Sequence, residues 1–210
     1  MLAKAGSYSL QNIRTELDRH IGAMSKFLEL ARQTADPKER SLTLILRSAA
    51  SGPAQALLGM ADEIRESGVM PKIILAKLDP CEDLVQLAAL MAEIYGSSSS
   101  GAIRWAKNPK LLDAHEQAIL GTSQCWSGDA MGRDPSRRNS LSLFADDAPD
   151  MVHLAELGFT ALWHAAEPVS ERRLMAAVSR RQAADDFLQK EQIELGRAQP
   201  IFASLTPSRH

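Results

Sequence analysis

SLTLILRSAASGPAQALLGMADEIRESGVMPKIILAK, residues 41–77, decides the fold class. Ser41 to Arg47 is a short, apolar, partly β-branched run, as expected of a strand buried on both faces. Ser51-Gly52-Pro53 then opens a helix, because a proline in the first turn gives up only an N–H that has no partner there. Ala54, Leu57, Leu58, Ala61 and Ile64 recur at helical spacing as its inward stripe, and Gly68 is placed to end it. Lys72 to Lys77 is a second apolar strand. Strand, helix and strand in this order predict right-handed crossovers and a sheet that is at least partly parallel, hence an α/β core.

Downstream, Asp79-Pro80 repeats the helix-start signal, with Glu82 and Asp83 at the positive end of the helix dipole. Leu84, Leu87, Ala88, Met91 and Ile94 carry that helix to Gly96, and the SSSSG run of residues 97–101 reads as a polar turn. Short strands are expected at Ala102 to Ala106, Glu116 to Leu120, Gln124 to Ser127 and Ser140 to Phe144. A helix from about Pro149 to His164 should bury Val152, Leu154, Phe159, Leu162 and Trp163. Ser170 caps a further charged helix that fades near Arg197, before a tail with two prolines and no lasting period.

Upstream, Leu10, Ile13, Leu17, Met24, Phe27 and Ala31 fall at steps of three and four, with His20 in the one polar slot of the seam. Ser9 is the expected N-cap and Asp36-Pro37 closes the segment. The seam suits packing on the chain's own domain, or pairing with a second copy; at about three heptads it is short for a free coiled coil. The organisation expected is an amino-terminal helix over residues 1–40, an α/β domain over 41–168, and a carboxy-terminal helix and tail over 169–210.

The chain has 210 residues, 45% hydrophobic and 24% charged, with a formal net charge of -2. That composition belongs to a folded protein and commits it to neither nucleic acid nor membrane by charge alone. Cys81 and Cys125 lack metal-site spacing and are too few for a disulfide framework. No apolar run of about 18 residues and no secretion-signal core is present, so a cytoplasmic protein without a membrane span is expected.

The stretch LLDAHEQAILGTSQCWSGDAM, residues 111–131, sets His115 at the head of a short strand, then a Gly-Thr turn, a second strand and a Ser-Gly-Asp corner. NSLSLF, residues 139–144, and FTALWHAAEP, residues 159–168, follow. In order and spacing, Ser41 to Pro168 resembles one half-domain of the phospholipase D superfamily. In that family a β-α-β-α core leads to a strand with the pattern H-x-K-x4-D, a glycine-serine corner, a later strand, and a helix ending in Phe and Leu-Trp. The resemblance implies an α/β/α layered mixed sheet of phospholipase D type, here flanked by amino- and carboxy-terminal helices. It also implies a homodimer, since the family cleft uses two halves.

The resemblance assigns His115 to the family's histidine, Gln117 to the lysine slot, Thr122 to the aspartate slot, and Ser127 and Asp129 to the corner. In the family one histidine attacks phosphorus and another protonates the leaving oxygen, while lysines and asparagines bind the non-bridging oxygens. Gln117 keeps an N–H donor without the full charge. If a charge-assisted bond is worth roughly 1.5–3 kcal/mol, one lost from each half costs about two to four powers of ten in rate. Asp129 would repel phosphate if it faced the cleft, whereas Arg104, Lys107, Lys110, Arg133, Arg137 and Arg138 are cations close enough in sequence to compensate.

The expected function is therefore that of a catalytically impaired phospholipase D-like protein with a binding or structural role, toward a phosphate-bearing ligand or a protein partner. The alternative is an active phosphodiesterase or nuclease with His115 as nucleophile in a dimeric site. A third reading, a DNA-binding regulator, rests on Arg172, Arg173, Arg180 and Arg181, whose charges Asp185, Asp186, Glu191 and Glu194 soon balance. No cofactor and no metal are expected: His153 and His164 have no acidic partner at ligand spacing. The RSAASGPAQ turn has one glycine and no phosphate-loop signature, so it reads as an ordinary connection.

Overall fold

A computed structural model describes residues 3–79, 81–96, 101–133 and 141–170, with side chains from residue 14 onward in the first helix. The elements are α1 (Ala3–Gln33), β1 (Leu42–Leu46), α2 (Gly52–Gly59), α3 (Ala61–Ser67), β2 (Lys72–Leu75), α4 (Glu82–Tyr95) and β3 (Ile103–Trp105). A 3-10 turn (Pro109–Asp113), β4 (His115–Leu120), β5 (Gln124–Ala130), β6 (Leu143–Ala145), α5 (Pro149–Ala165) and β7 (Glu167–Pro168) follow.

Seven strands make one mixed sheet in the order β6-β5-β4-β1-β2-β3-β7. β1, β2 and β3 are parallel, and β4, β5, β6 and β7 pair antiparallel to their neighbours. The alternation of side chains along each strand assigns the two faces. Leu42, Leu44 and Leu46 of β1, with Ile73 and Leu75 of β2, enter a core shared with Met24, Phe27 and Leu28 of α1 and with α2, α3 and α4. Ile45, Ile74, Ile119 and Cys125 point to the opposite face, where Val152 and Phe159 of α5 cover them. The result is a layered α/β/α arrangement, which contains the α/β core predicted from residues 41–77 and has the layers that the resemblance implied, and it explains why β1 and β2 read as continuous apolar runs. Truncating a side chain as buried as Leu44 to alanine is expected to cost about 2–5 kcal/mol.

Several local expectations change. α1 begins at Ala3, so Ser9 lies inside the helix and is not its cap. The helix after β1 is two helices, because Met60 leaves helical geometry at φ -117° and ψ 29°. Gly68 does end α3, in the left-handed region at φ 67°. Leu154, expected inside, is 68% exposed, and Ala155 takes the inward place. The steps 152, 155, 159 keep one face of α5 toward the sheet, and Leu154 lies most of a half-turn away from Val152. The expected carboxy-terminal helix lies outside the described residues, as do Arg137, Arg138 and the serine run.

The largest correction concerns the Ser-Gly-Asp corner, which is no corner. β5 continues through it to Ala130. Gln117 pairs with Ser127, but His115 pairs with Ala130, so Gly128 and Asp129 together face Glu116 in a β-bulge. Glycine is needed there: a Cβ on Gly128 would stand 2.5 Å from the Trp126 ring folded over it.

Candidate functional site

A cleft opens at the carboxyl end of β1. On one side of that strand lie β2 and β3 and on the other β4, β5 and β6, so β1 marks the reversal of strand order, where open α/β sheets form crevices. The cleft has a volume of about 230 Å³. Its walls are Glu16 and His20 of α1, Arg47, the Ser48–Gln55 turn entering α2, Glu116 of β4, and Trp126 and Asp129 of β5.

Each wall follows from local structure. Arg47 directly follows β1 and is buried, so its guanidinium is bonded inward: Nε donates to Met131 O at 3.1 Å and Nη2 to Ala130 O at 3.0 Å. Nη2 also lies 3.4 Å from Glu116 Oε2. Glu116 Oε1 accepts from the Arg47 backbone N–H at 2.9 Å and from Ser51 Oγ at 2.6 Å. The carboxylate thereby joins β1, β4 and the start of α2. The bulge turns Asp129 into the same cleft, where it pairs with Arg133.

α1 closes the other side. Trp126 Nε1 donates to Ser142 Oγ at 2.9 Å, and Ser142 Oγ donates to Glu16 Oε1 at 2.7 Å. His20 is only 4% exposed and meets Trp126 edge to face, with ring centroids 4.7 Å apart. Burial lowers its pKa to about 4, so the imidazole is neutral at ordinary pH. Its Nε2 is buried without a hydrogen-bond partner among the described residues. Gly52 makes room for the ring, since a Cβ there would approach it to 3.1 Å.

The residues predicted from the sequence do not gather in this cleft. Of those among the described residues, only Asp129 lines it, with Arg133 bonded at its side. His115 is exposed, and the alternation along β4 turns it to the face opposite Glu116. Its Nδ1 is 2.7 Å from Gly128 O. Gln117 and Ser127 pair across β4 and β5 on the face that α5 covers. Thr122 is in the turn at the far end of β4, lining a separate depression with Phe27 and Glu39. Arg104 is engaged elsewhere: it lies 4.6 Å over the Trp163 ring and donates to Trp163 O, and to Ala166 O at 3.2 Å, closing the end of α5. Lys107 pairs with Glu167 at 3.2 Å, and Lys110 sits in the 3-10 turn.

Arg47, Glu116, Ser51, Glu16 and His20 were not singled out as site residues by the sequence. One signal was available: Arg47 follows the apolar LTLIL directly, and a charge at the end of a central strand has to find partners. No group of three or more His, Cys, Asp or Glu side chains among the described residues is arranged to hold a metal ion. No helix among them is long and apolar enough to cross a membrane.

No protein-family profile and no curated protein matches this chain. Among solved structures, it is similar to Nuc from Salmonella typhimurium, a phospholipase D family member, at 12% identity over 70% of this chain and 90% of that one, with a TM-score of 0.42. It is also similar to TrmBL2, an archaeal chromatin protein described as having a novel mode of DNA binding. There the identity is 18% over 71% of this chain, which spans about half (51%) of that protein, with a TM-score of 0.42. Both are likenesses of chain course at low identity, and the chemistry of this protein is read from its own side chains.

Proposed function

We propose that this protein is a phospholipase D-like binding module without phosphodiesterase activity, receiving a small ligand or a group of a partner in the cleft at the end of β1. The observation that carries this reading is the commitment of the cations at the cleft among the described residues. Arg47 is spent on two backbone carbonyls and Glu116, and Arg133 is paired with Asp129. Phosphoryl transfer needs preorganised positive charge where the transition state gathers negative charge. In this cleft a phosphate would instead meet the carboxylates of Glu16, Glu116 and Asp129. A homodimer belongs to the same reading, supported by Met151, Leu154 and Leu157, which stand exposed along α5.

The alternative, an active phosphodiesterase acting on a phosphate-bearing ligand, has one observation in its favour. The 2.7 Å contact between His115 Nδ1 and Gly128 O suits a proton on Nδ1, which leaves an Nε2 lone pair on an exposed ring. The general acid and the cations would then have to come from a second copy. Turnover of bis(p-nitrophenyl) phosphate and of single- and double-stranded DNA decides between the readings. No turnover above the buffer rate is expected from the full chain; turnover abolished by His115→Ala would establish the enzyme. The DNA-regulator reading depends on arginines beyond residue 170, outside the described residues.

A further inference from the structure

The two edges of the sheet are not alike. β7 consists of Glu167 and Pro168, a charge and a residue without an N–H, and both discourage the addition of a further strand. β6, at the other edge, reads Leu-Phe-Ala and has neither device. No strand among the described residues pairs with its outer side. Such an edge carries N–H and C=O groups ready to pair with another chain. Phe144 turns toward α1, while Leu143 lies on the α5 side of the sheet and is 49% exposed.

The flank of α1 makes this edge one wall of a groove. Arg19, Gly22, Ala23 and Lys26 fall at steps of three and four, so one face of the helix looks along β6, and with Leu143 and Phe144 they bound a groove of about 490 Å³. Arg19 and Lys26 are exposed and make no ion pair among the described residues. Asp146 is in the same lining, so two cations stand there against one carboxylate. Gly22, between the cations, is a second signal. Glycine weakens a helix interior relative to alanine, and a Cβ at this position would meet nothing within 4 Å, so packing does not require it. Its effect is to leave the helix surface low where a second backbone can come close.

We propose that the β6 edge accepts an extended acidic segment of a partner protein, which adds a further strand to the sheet beside the flank of α1. The pleat fixes the pattern of that segment. Alternate side chains lie on the α1 side and are acidic, meeting Arg19 and Lys26; those between lie beside Leu143 and are apolar. Arg19 and Lys26 are about 10 Å apart along the helix axis, and same-face positions of a strand repeat every ~6.7 Å, so two or three carboxylates come within reach of both long side chains. The groove and the cleft at the end of β1 have no lining residue in common among the described residues, so this surface does not depend on the reading of that cleft.

The test titrates the full chain into the peptide Val-Glu-Val-Glu-Val-Glu-Val, amidated and labelled with fluorescein at its amino terminus, and follows anisotropy. Saturable binding that weakens with added salt is expected, together with slower hydrogen exchange of the β6 amides in the complex. Affinity should fall about tenfold in Arg19→Gln/Lys26→Gln. Gly22→Gln is a second, independent variant: it puts a side chain into the groove without a clash and favours the helix, so it should weaken binding by a similar factor while a thermal melt shows the fold intact. The same peptide with lysine in place of glutamate, or N-methylated at every residue, should not bind. Absence of binding by the acidic peptide overturns the proposal, as does affinity unchanged in both variants. Equal binding of the lysine peptide overturns the charge assignment, and equal binding of the N-methylated one overturns the strand pairing. Outer β6 amides that already exchange slowly in the free chain also overturn it, since the edge would then be covered; protection that rises with protein concentration would make a second copy the occupant.

Discussion

Arg47 Nη2 stands 3.4 Å from Glu116 Oε2 where the end of β1 meets the start of β4, and both side chains are buried. The pair ties two antiparallel strands together at the floor of the cleft. Removing either partner leaves a charge in a site that water reaches poorly. Arg47→Met and Glu116→Gln are each expected to lose about 3–5 kcal/mol of unfolding free energy. The double variant should lose less than the sum by at least about 1 kcal/mol, read from urea melts of all four proteins. Strict additivity would show that the two groups are not coupled.

His20 makes stability depend on pH in a direction fixed by its shift. Its folded pKa, about 4, is below the ordinary 6.5, so the unfolded chain takes up the proton more readily. The contribution is fully present above pH 6.5, declines as pH falls through that value, and levels off below about 4. The full span is on the order of 3 kcal/mol. Other groups titrate in the same window, so the informative quantity is the difference between the natural chain and His20→Gln, followed by denaturant unfolding from pH 7 to 4. The variant should show a shallower loss.

Two glycines should respond oppositely to the same substitution. Gly121 turns β4 into β5 at φ 62°, and a Cβ there would lie 2.9 Å from Glu39 O, so Gly121→Ala should destabilise by more than about 1 kcal/mol. Gly158 lies inside α5 with open space where a Cβ would go, and Gly158→Ala should stabilise by roughly 0.5–1 kcal/mol. Thermal melts of both variants test the sign as well as the size.

The outward face of α5 should report on self-association. Leu154 is 68% and Leu157 57% exposed, so replacing both with lysine costs little folding stability. If this face joins two copies, sedimentation should move from dimer to monomer in Leu154→Lys/Leu157→Lys while the circular dichroism spectrum is retained. A dimer that survives the change would place the contact elsewhere.

Periodicity made the scaffold legible. Leu44, Ile45, Ile73 and Ile74 are apolar on both parities, which is the pattern of strands covered on both faces, and Ser51-Gly52-Pro53 and Gly68 punctuate the helices where the chain turns. Such signals are local, because each residue's partners lie within a few positions of it. The break at Met60 and the exposure of Leu154 were not legible, since apolar residues there satisfy a helical period whichever neighbour they meet.

What the sequence determined by itself was the α/β class and most of the order of strands and helices between residues 41 and 165. The tertiary structure decided which charges share a cleft. Glu116 lies 69 positions from Arg47 and Glu16 126 positions from Ser142, and no local period records such pairs. One inserted residue in β5 turns Asp129 toward Glu116, while the pleat of β4 turns neighbouring His115 away. A strand changes face at every residue, so only the register of pairing fixes which of two adjacent side chains faces the cleft.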